Sequence, residues 1–147
     1  MSLNKRSQIM RKILLIESQL QICSKFIKCL ETQGFDVIVA ENSFVGVRKA
    51  RSELPDLIIS DLIMSESEDC NFNFLEALRE DNITAIIPLI VTIDRDTQVY
   101  IRKAMEMGAD DCITKFCTEE ELLRAIAVRL DRFTFLQQWC AAQMEII

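Results

Sequence analysis

Five short apolar runs, each followed by a segment with helical periodicity, constrain this chain of 147 residues more than any other feature. The runs are Lys12–Ile16, Val37–Ala40, Leu57–Ser60, Leu89–Ile93 and Cys112–Thr114. They are too short for helices, and they are continuous rather than alternating, as strands of a sheet covered on both faces are. The repeated order of strand and helix predicts one α/β domain, a parallel sheet with helices on both faces and right-handed crossovers.

Apolar residues at helical spacing fill the intervals between the runs. We expect helices that begin near Ser18 and Ser43, that span Phe72–Asp81 and Thr97–Met107, and that begin at Thr118. Ser18 is the predicted N-cap of the first helix, and Gly34 is its predicted left-handed residue at the C-terminal end. Thr118 and Glu121 form a predicted capping box for the last helix.

Composition excludes several classes of function. The net charge is −6 and there is no histidine, so we expect no nucleic-acid partner, no anionic membrane partner and no histidine-based catalysis or zinc ligation. Three scattered glycines are too few for a phosphate-binding loop. The six cysteines include no C-x-x-C pair, which predicts reduced, structural thiols. No signal-peptide core or membrane-length run is present, so we expect a cytoplasmic protein.

Polar residues follow the strand runs at the edge where an open α/β sheet binds ligands. Glu17 and Ser18 follow the first run, Asp61 the third, Asp94 the fourth and Lys115 the fifth. Oxygen ligands of this kind suit Mg²⁺, and a carboxylate beside Mg²⁺ and a lysine is a plausible phosphoryl acceptor. The alternative is that these residues are ordinary polar loop residues that pair with one another.

The chain also resembles the receiver domains of two-component response regulators. The resemblance rests on ILLIES (13–18), LIISDLIM (57–64), IPLIV (87–91) and MGADDCITK (107–115), and it covers about 12–130. It implies a flavodoxin-like (βα)5 fold with strand order 2-1-3-4-5. It also implies that Asp61 is phosphorylated by a histidine kinase or phosphotransfer protein and that Lys115 contacts the phosphoryl group. Mg²⁺ would be held by Asp61, Glu17 and the backbone carbonyl of Ile63. The resemblance implies no enzyme activity beyond Mg²⁺-dependent gain and loss of the phosphoryl group on Asp61.

Several positions depart from the family pattern. Ser18 stands where a second acid is usual, so Mg²⁺ should bind more weakly and Ser18 can offer at best a neutral oxygen. Ile93 stands where a hydroxyl residue is usual, and Thr92, one position early, should point to the opposite face. Cys112 replaces the switch aromatic. Phe116 replaces a proline whose peptide bond is cis in the family, so we expect a trans bond and a rearranged loop here.

These departures leave two functions open. In one, Asp61 is phosphorylated and the signal is transmitted through the domain by other residues than in the family. In the other, the chain is a pseudo-receiver that acts as a phosphorylation-independent interaction module. In the second case Ile93, Cys112 and Phe116 would simply extend the core.

The two ends of the chain lie outside the predicted domain. Residues 1–11 form an N-terminal extension that begins like a vector remnant, and residues 131–147 form a C-terminal helical extension. A heptad-like seam runs through the last helix at Leu123, Ile126, Leu130, Phe133, Gln137, Cys140 and Met144. The seam predicts a helix that pairs in a homodimer or leads to an output domain. The alternative is an extension that folds back, with Trp139 covering apolar surface.

Overall fold

The computed structural model describes residues 11–61, 69–94 and 98–146, with only the backbone described at 69–73 and 145–146. The strands are β1 (Lys12–Ile16), β2 (Asp36–Ala40), β3 (Leu57–Asp61), β4 (Leu89–Ile93) and β5 (Asp111–Thr114). The helices in these residues are α1 (Leu20–Thr32), α2 (Ser43–Glu53), α3 (Asp69–Glu80), α4 (Gln98–Glu106) and α5 (Glu119–Ile146). Each predicted strand is present, with its ends within one residue of the prediction.

All strand pairs are parallel, and the strand order is β2-β1-β3-β4-β5. This confirms the predicted flavodoxin-like topology. The order places β1 and β3 at the centre of the sheet, with β4 and β5 on one side of them. Side chains that follow β1, β3 and β5 therefore reach the same edge, which is where the predicted site residues stand.

The sheet buries both of its faces. In β1, Leu14 and Ile16 belong to one apolar cluster, whereas Ile13 and Leu15 belong to the other. Successive residues of a strand point to opposite faces, so a strand between two helical layers has to be apolar at every position. Each fully buried Leu or Ile contributes roughly 1.5–3 kcal/mol relative to exposure, which makes β1 a major contributor to stability.

The first helix begins two residues later than its predicted cap. Its N-cap is Gln19, whose side chain makes no capping hydrogen bond, so the prediction for Ser18 is wrong. The reason is tertiary: the backbone N–H groups of Ser18 and Gln19 donate to Glu17 Oε2, at 2.9 and 3.4 Å. The predicted C-terminal residue is correct, because Gly34 has φ of 92° and ends α1 in a conformation that favours glycine.

The predicted starts of α2 and α5 agree with the structure, whereas α3 begins at Asp69, three residues before the predicted Phe72. Asn42 caps α2 by accepting a hydrogen bond from the Val45 backbone N–H, so Ser43 is the first helical residue as expected. Thr118 Oγ1 accepts a hydrogen bond from the Glu121 backbone N–H at 3.1 Å and donates to the Glu121 carboxylate at 3.2 Å. The predicted cap of α5 by Thr118 is therefore confirmed, but the Glu121 carboxylate meets the Thr118 hydroxyl rather than the backbone N–H that a full capping box uses.

The last helix is a single element of 28 residues that continues past the domain. Residues 135–144 are all exposed, so the chain does not fold back after Leu130 to cover the sheet with Trp139. This confirms the predicted extended helix and leaves its partner undecided. Within the part of the chain that the structure describes, no helix has the length and apolar character needed to cross a membrane.

Candidate functional site

Three buried side chains meet at the carboxyl edge of the sheet. Glu17 directly follows β1, Asp61 ends β3 and Lys115 directly follows β5. They are among the least exposed polar residues of the molecule, with side-chain exposures of 2%, 4% and 1%. The convergence expected from the strand order is therefore what the structure contains, and it is enclosed rather than open to solvent.

Lys115 is the centre of this cluster. Its Nζ lies 2.7 Å from Asp61 Oδ1 and 3.2 Å from Glu17 Oε1. Its backbone N–H donates to the carbonyl of Ile93 at 2.9 Å, which holds the end of β5 against β4. The ammonium thus contacts both carboxylates, in an arrangement that parallel strands with this order produce directly.

Glu17 is held by the backbone around it. Its N–H donates to the Ala40 carbonyl at 3.0 Å, which extends the β1–β2 pairing by one residue. Its Oε2 accepts from the N–H of Ser18, which leaves Oε1 directed at Lys115. Glu17 therefore has a fixed orientation before any ligand arrives.

The cluster carries one negative charge in excess, because two carboxylates face one ammonium. Burial raises the pKa of Asp61 to about 6, and the neighbouring Glu17 carboxylate adds to this against the opposing effect of Lys115. Burial lowers the pKa of Lys115, but Asp61 and Glu17 more than offset this, so that its pKa lies above the ordinary value. Lys115 is thus a permanent cation, whereas Asp61 is mainly ionised above pH 6.

The free oxygens of the cluster fit a hard cation. Asp61 Oδ2 is buried and accepts from no described donor, whereas Asp61 Oδ1 and Glu17 Oε1 contact only the Lys115 ammonium. Buried acceptors without donors are costly, and Mg²⁺ takes one or two carboxylates together with water. The described residues contain no group of three or more His, Cys, Asp or Glu side chains able to hold a metal, so this described part of the chain offers two carboxylates here.

Two further ligands, Ile63 and Ser18, were predicted beside this pair. Ile63, whose backbone carbonyl the resemblance implies as a ligand, lies outside the described residues. Ser18 is exposed, and its N–H is already used by Glu17.

Asp94 belongs to the rim of the site, although sequence reasoning gave it no role. Its Oδ1 lies 3.6 Å from Lys115 Nζ, and its side chain is 56% exposed. What indicates Asp94 in the sequence is its position one residue after β4, and the same kind of position after β1 indicated Glu17. Asp94 is too exposed to change the charge balance of the buried cluster much.

The positions that differ from the family pattern are buried to different extents. Ile93 is 3% exposed and belongs to a core cluster, and Cys112 packs against the same cluster. Thr92 is buried on the opposite face of the sheet, to which Ile90 of β4 also points, as the two-residue period of a strand requires. Phe116 is 73% exposed, so the alternative that it extends the core is wrong. Its peptide bond is trans, because the described residues contain no cis bond.

The alternative to a functional site is that these polar residues only pair with each other, and this alternative explains part of the geometry. Lys115 does pair with Asp61 and Glu17. A purely structural pair, however, is stable when its charges balance and its lone pairs are satisfied. This cluster has neither property, so it is better explained as a site prepared for a cation.

Comparison with known proteins agrees with the fold. The family model for the response regulator receiver domain matches residues 13–127. Protein PilH from Pseudomonas aeruginosa is 32% identical over 117 residues, which are 80% of this chain and 95% of PilH. The phosphate regulon transcriptional regulatory protein PhoB from Escherichia coli is 28% identical over 84% of this chain, which spans only 53% of PhoB.

A solved structure supports the fold independently. The receiver domain of a sensor histidine kinase from Pseudomonas aeruginosa has a TM-score of 0.73 at 19% identity, over 82% of this chain and 98% of that one. That domain was solved with a magnesium ion coordinated in its active-site cleft.

Proposed function

Because the chain belongs to the response regulator receiver family, we propose that Asp61 accepts a phosphoryl group from a phosphohistidine of a histidine kinase or phosphotransfer protein. The observation that supports this most directly is the 2.7 Å contact between Lys115 Nζ and Asp61 Oδ1, combined with the second oxygen of that carboxylate, Oδ2, which is buried and has no described hydrogen-bond donor. The carboxylate is thus next to a cation and free to form a new bond.

The proposed transfer is a displacement at phosphorus. An ionised Asp61 oxygen attacks the phosphorus, the P–N bond to the donor histidine breaks, and its electron pair returns to the imidazole, leaving an acyl phosphate on Asp61. With a pKa of about 6, Asp61 is ionised at neutral pH. Lys115 remains charged and neutralises negative charge on the transferred group.

Mg²⁺ would be held by Glu17 and Asp61 and would supply charge neutralisation and orientation for the phosphoryl oxygens. With Ser18 in place of a second acid, we expect this binding to be weak. We propose no enzyme activity on other molecules, only Mg²⁺-dependent phosphorylation and dephosphorylation of Asp61. A cytoplasmic location follows from the proposed kinase partner.

The proposed output differs from the family pattern. A hydroxyl at the end of β4 would sense the new charge, but Ile93 offers none and is buried in the core. We therefore propose that the added charge acts on the surface near β4 and α4 without the usual relay. The exposed Phe116, directly beside Lys115, offers a protein partner apolar contact at the same edge.

Incubation with acetyl phosphate and Mg²⁺, followed by intact-mass measurement, tests the acceptor role. We expect the mass of one phosphoryl group on the wild type and on Asp94→Asn, the matched carboxylate beside Lys115, and none on Asp61→Asn. An unmodified wild type, or a phosphoryl group that persists in Asp61→Asn, would refute the proposal and favour a phosphorylation-independent interaction module.

A further inference from the structure

A groove of about 660 Å³ lies at the opposite end of the sheet from Asp61. One wall is the last part of α5, from Arg129 to Met144, and the other includes Ile86 and Pro88, which precede β4. Phe133, Leu136, Cys140 and Met144 make the helical wall apolar. A surface of this size and chemistry is typical of a binding site.

The helical wall continues the seam of α5. The first part of the seam is used inside the domain, since Ile126 and Leu130 are buried in the core. The second part, which includes Phe133, Cys140 and Met144, lines the groove. Side chains at alternating spacings of three and four form the holes that another helix fills. The groove is therefore shaped for a helix.

Two arginines give the groove positive charge that no described carboxylate pairs with, although the Arg132 guanidinium also lies 5.7 Å from the centre of the Phe135 ring. Among the described residues, Arg129 and Arg132 form no ion pair, and Arg129 Nε is buried without a hydrogen-bond partner. Asp110 also lines the groove, but its carboxylate is taken by Arg79 at 3.0 Å and by the Leu89 N–H at 2.8 Å. A chain with a net charge of −6 thus presents a local cationic, apolar surface.

We propose that this groove binds an acidic amphipathic helix of a partner protein. The wall from Arg129 to Met144 is about 22 Å long at 1.5 Å per residue, so it takes a helix of about 15 residues. The occupant would place apolar side chains at i, i+3 or i+4 and i+7 in the groove, and carboxylates against Arg129 and Arg132. A second copy of the uncharged stretch 133–144 has no carboxylate to offer.

Selection from a phage-displayed library of random peptides of about 15 residues tests this proposal. On the wild type we expect enrichment of helical peptides with this apolar spacing and Asp or Glu on one flank. On Arg129→Glu/Arg132→Glu, the same selection should enrich Lys or Arg at the flanking positions. The control Arg48→Glu/Arg124→Glu changes the net charge equally at exposed positions outside the groove, and should select the acidic peptides.

Anisotropy with one selected acidic peptide gives the affinity. We expect a loss of about tenfold or more for Arg129→Glu/Arg132→Glu, and less than about twofold for the control. Arg132→Glu alone, at an exposed position, keeps the test valid if the double variant unfolds by circular dichroism, and should itself weaken binding. The proposal is overturned if no acidic helical pattern is enriched, if binding ignores both arginines, or if sedimentation shows a dimer that Leu136→Glu dissociates.

Discussion

Replacement of Asp61 by Asn should stabilise the fold at neutral pH when divalent cations are absent. The buried cluster then loses its excess negative charge, and Glu17 and Lys115 remain as a balanced pair at 3.2 Å. Asn has nearly the same shape as Asp, so the packing at the end of β3 should not change. The substitution therefore isolates the electrostatic cost of the excess carboxylate charge in the cluster.

The expected magnitude follows from the pKa of Asp61. Burial raises it from 3.8 to about 6, a difference that corresponds to about 3 kcal/mol of destabilisation of the ionised form. Lys115 loses one of its carboxylate partners in the variant, so we expect a net gain of about 1–2 kcal/mol. For a chain of this length, that is an increase in Tm of about 3–8 °C.

The gain should depend on pH with a definite sign. Between pH 3.8 and about 6 the folded state binds the Asp61 proton more tightly than the unfolded state, so wild-type stability falls as pH rises through this window. Below the window Asp61 is neutral in both states and costs nothing. The advantage of Asp61→Asn should therefore be complete above about pH 6 and disappear towards pH 4.

Urea unfolding with EDTA at several pH values between 4 and 8 measures this advantage. Asp94→Asn is the matched control, because Asp94 also faces Lys115 but is 56% exposed, and it should change the free energy of unfolding by less than about 0.5 kcal/mol. A variant Asp61→Asn that is no more stable than the wild type at pH 7.5, or whose gain is equal at pH 4, would contradict the explanation.

Three further substitutions test other parts of the structure. Ser18→Asp restores a second acid and should strengthen Mg²⁺ binding by about tenfold, measured by the Mg²⁺ dependence of Tm, whereas Ser18→Asn should not. Lys115→Met leaves two buried carboxylates unpaired and should cost about 3–5 kcal/mol in urea unfolding at pH 7.5, less at lower pH; a loss below about 1 kcal/mol would contradict its central role. Gly46→Ala places a Cβ against the Ile16 side chain and should cost about 1–3 kcal/mol, a loss that Ile16→Val should partly reverse if overpacking is the cause.

The fold was predictable because burial and sequence pattern coincide in this architecture. Lys12–Ile16 and Leu89–Ile93 are continuous apolar runs, and the structure has strands with the same bounds. Ser18 is where local reasoning failed. A serine before an amphipathic segment predicts a cap, but the Glu17 carboxylate, held towards Lys115, takes the N–H groups that follow β1. A tertiary contact of this kind leaves no local pattern in the sequence.

The residues that form the buried cluster could be predicted from the sequence, but their burial and the raised pKa of Asp61 could not. Strand order alone brings Glu17, Asp61 and Lys115 to one edge. Their burial, and hence the raised pKa of Asp61, depends on how closely the surrounding loops enclose them, which no local pattern records. Phe116 shows a similar limit, because one of the two alternatives placed it in the core, yet it is exposed in the turn between β5 and α5.

The seam of α5 shows why periodicity alone cannot separate a domain core from an interface. Leu130 and Phe133 occupy neighbouring positions of the same pattern, but Leu130 is buried in the core and Phe133 lines the groove. The charge of the surrounding residues distinguishes the two positions, whereas the apolar spacing does not. The stretch 133–144, exposed from residue 135 onwards, contains no charged residue, whereas 119–132 contains both signs. An exposed helix of about three turns without a charge has no solvated face, so the sequence change at Phe133 marks the part of α5 on which the proposed partner helix would bind.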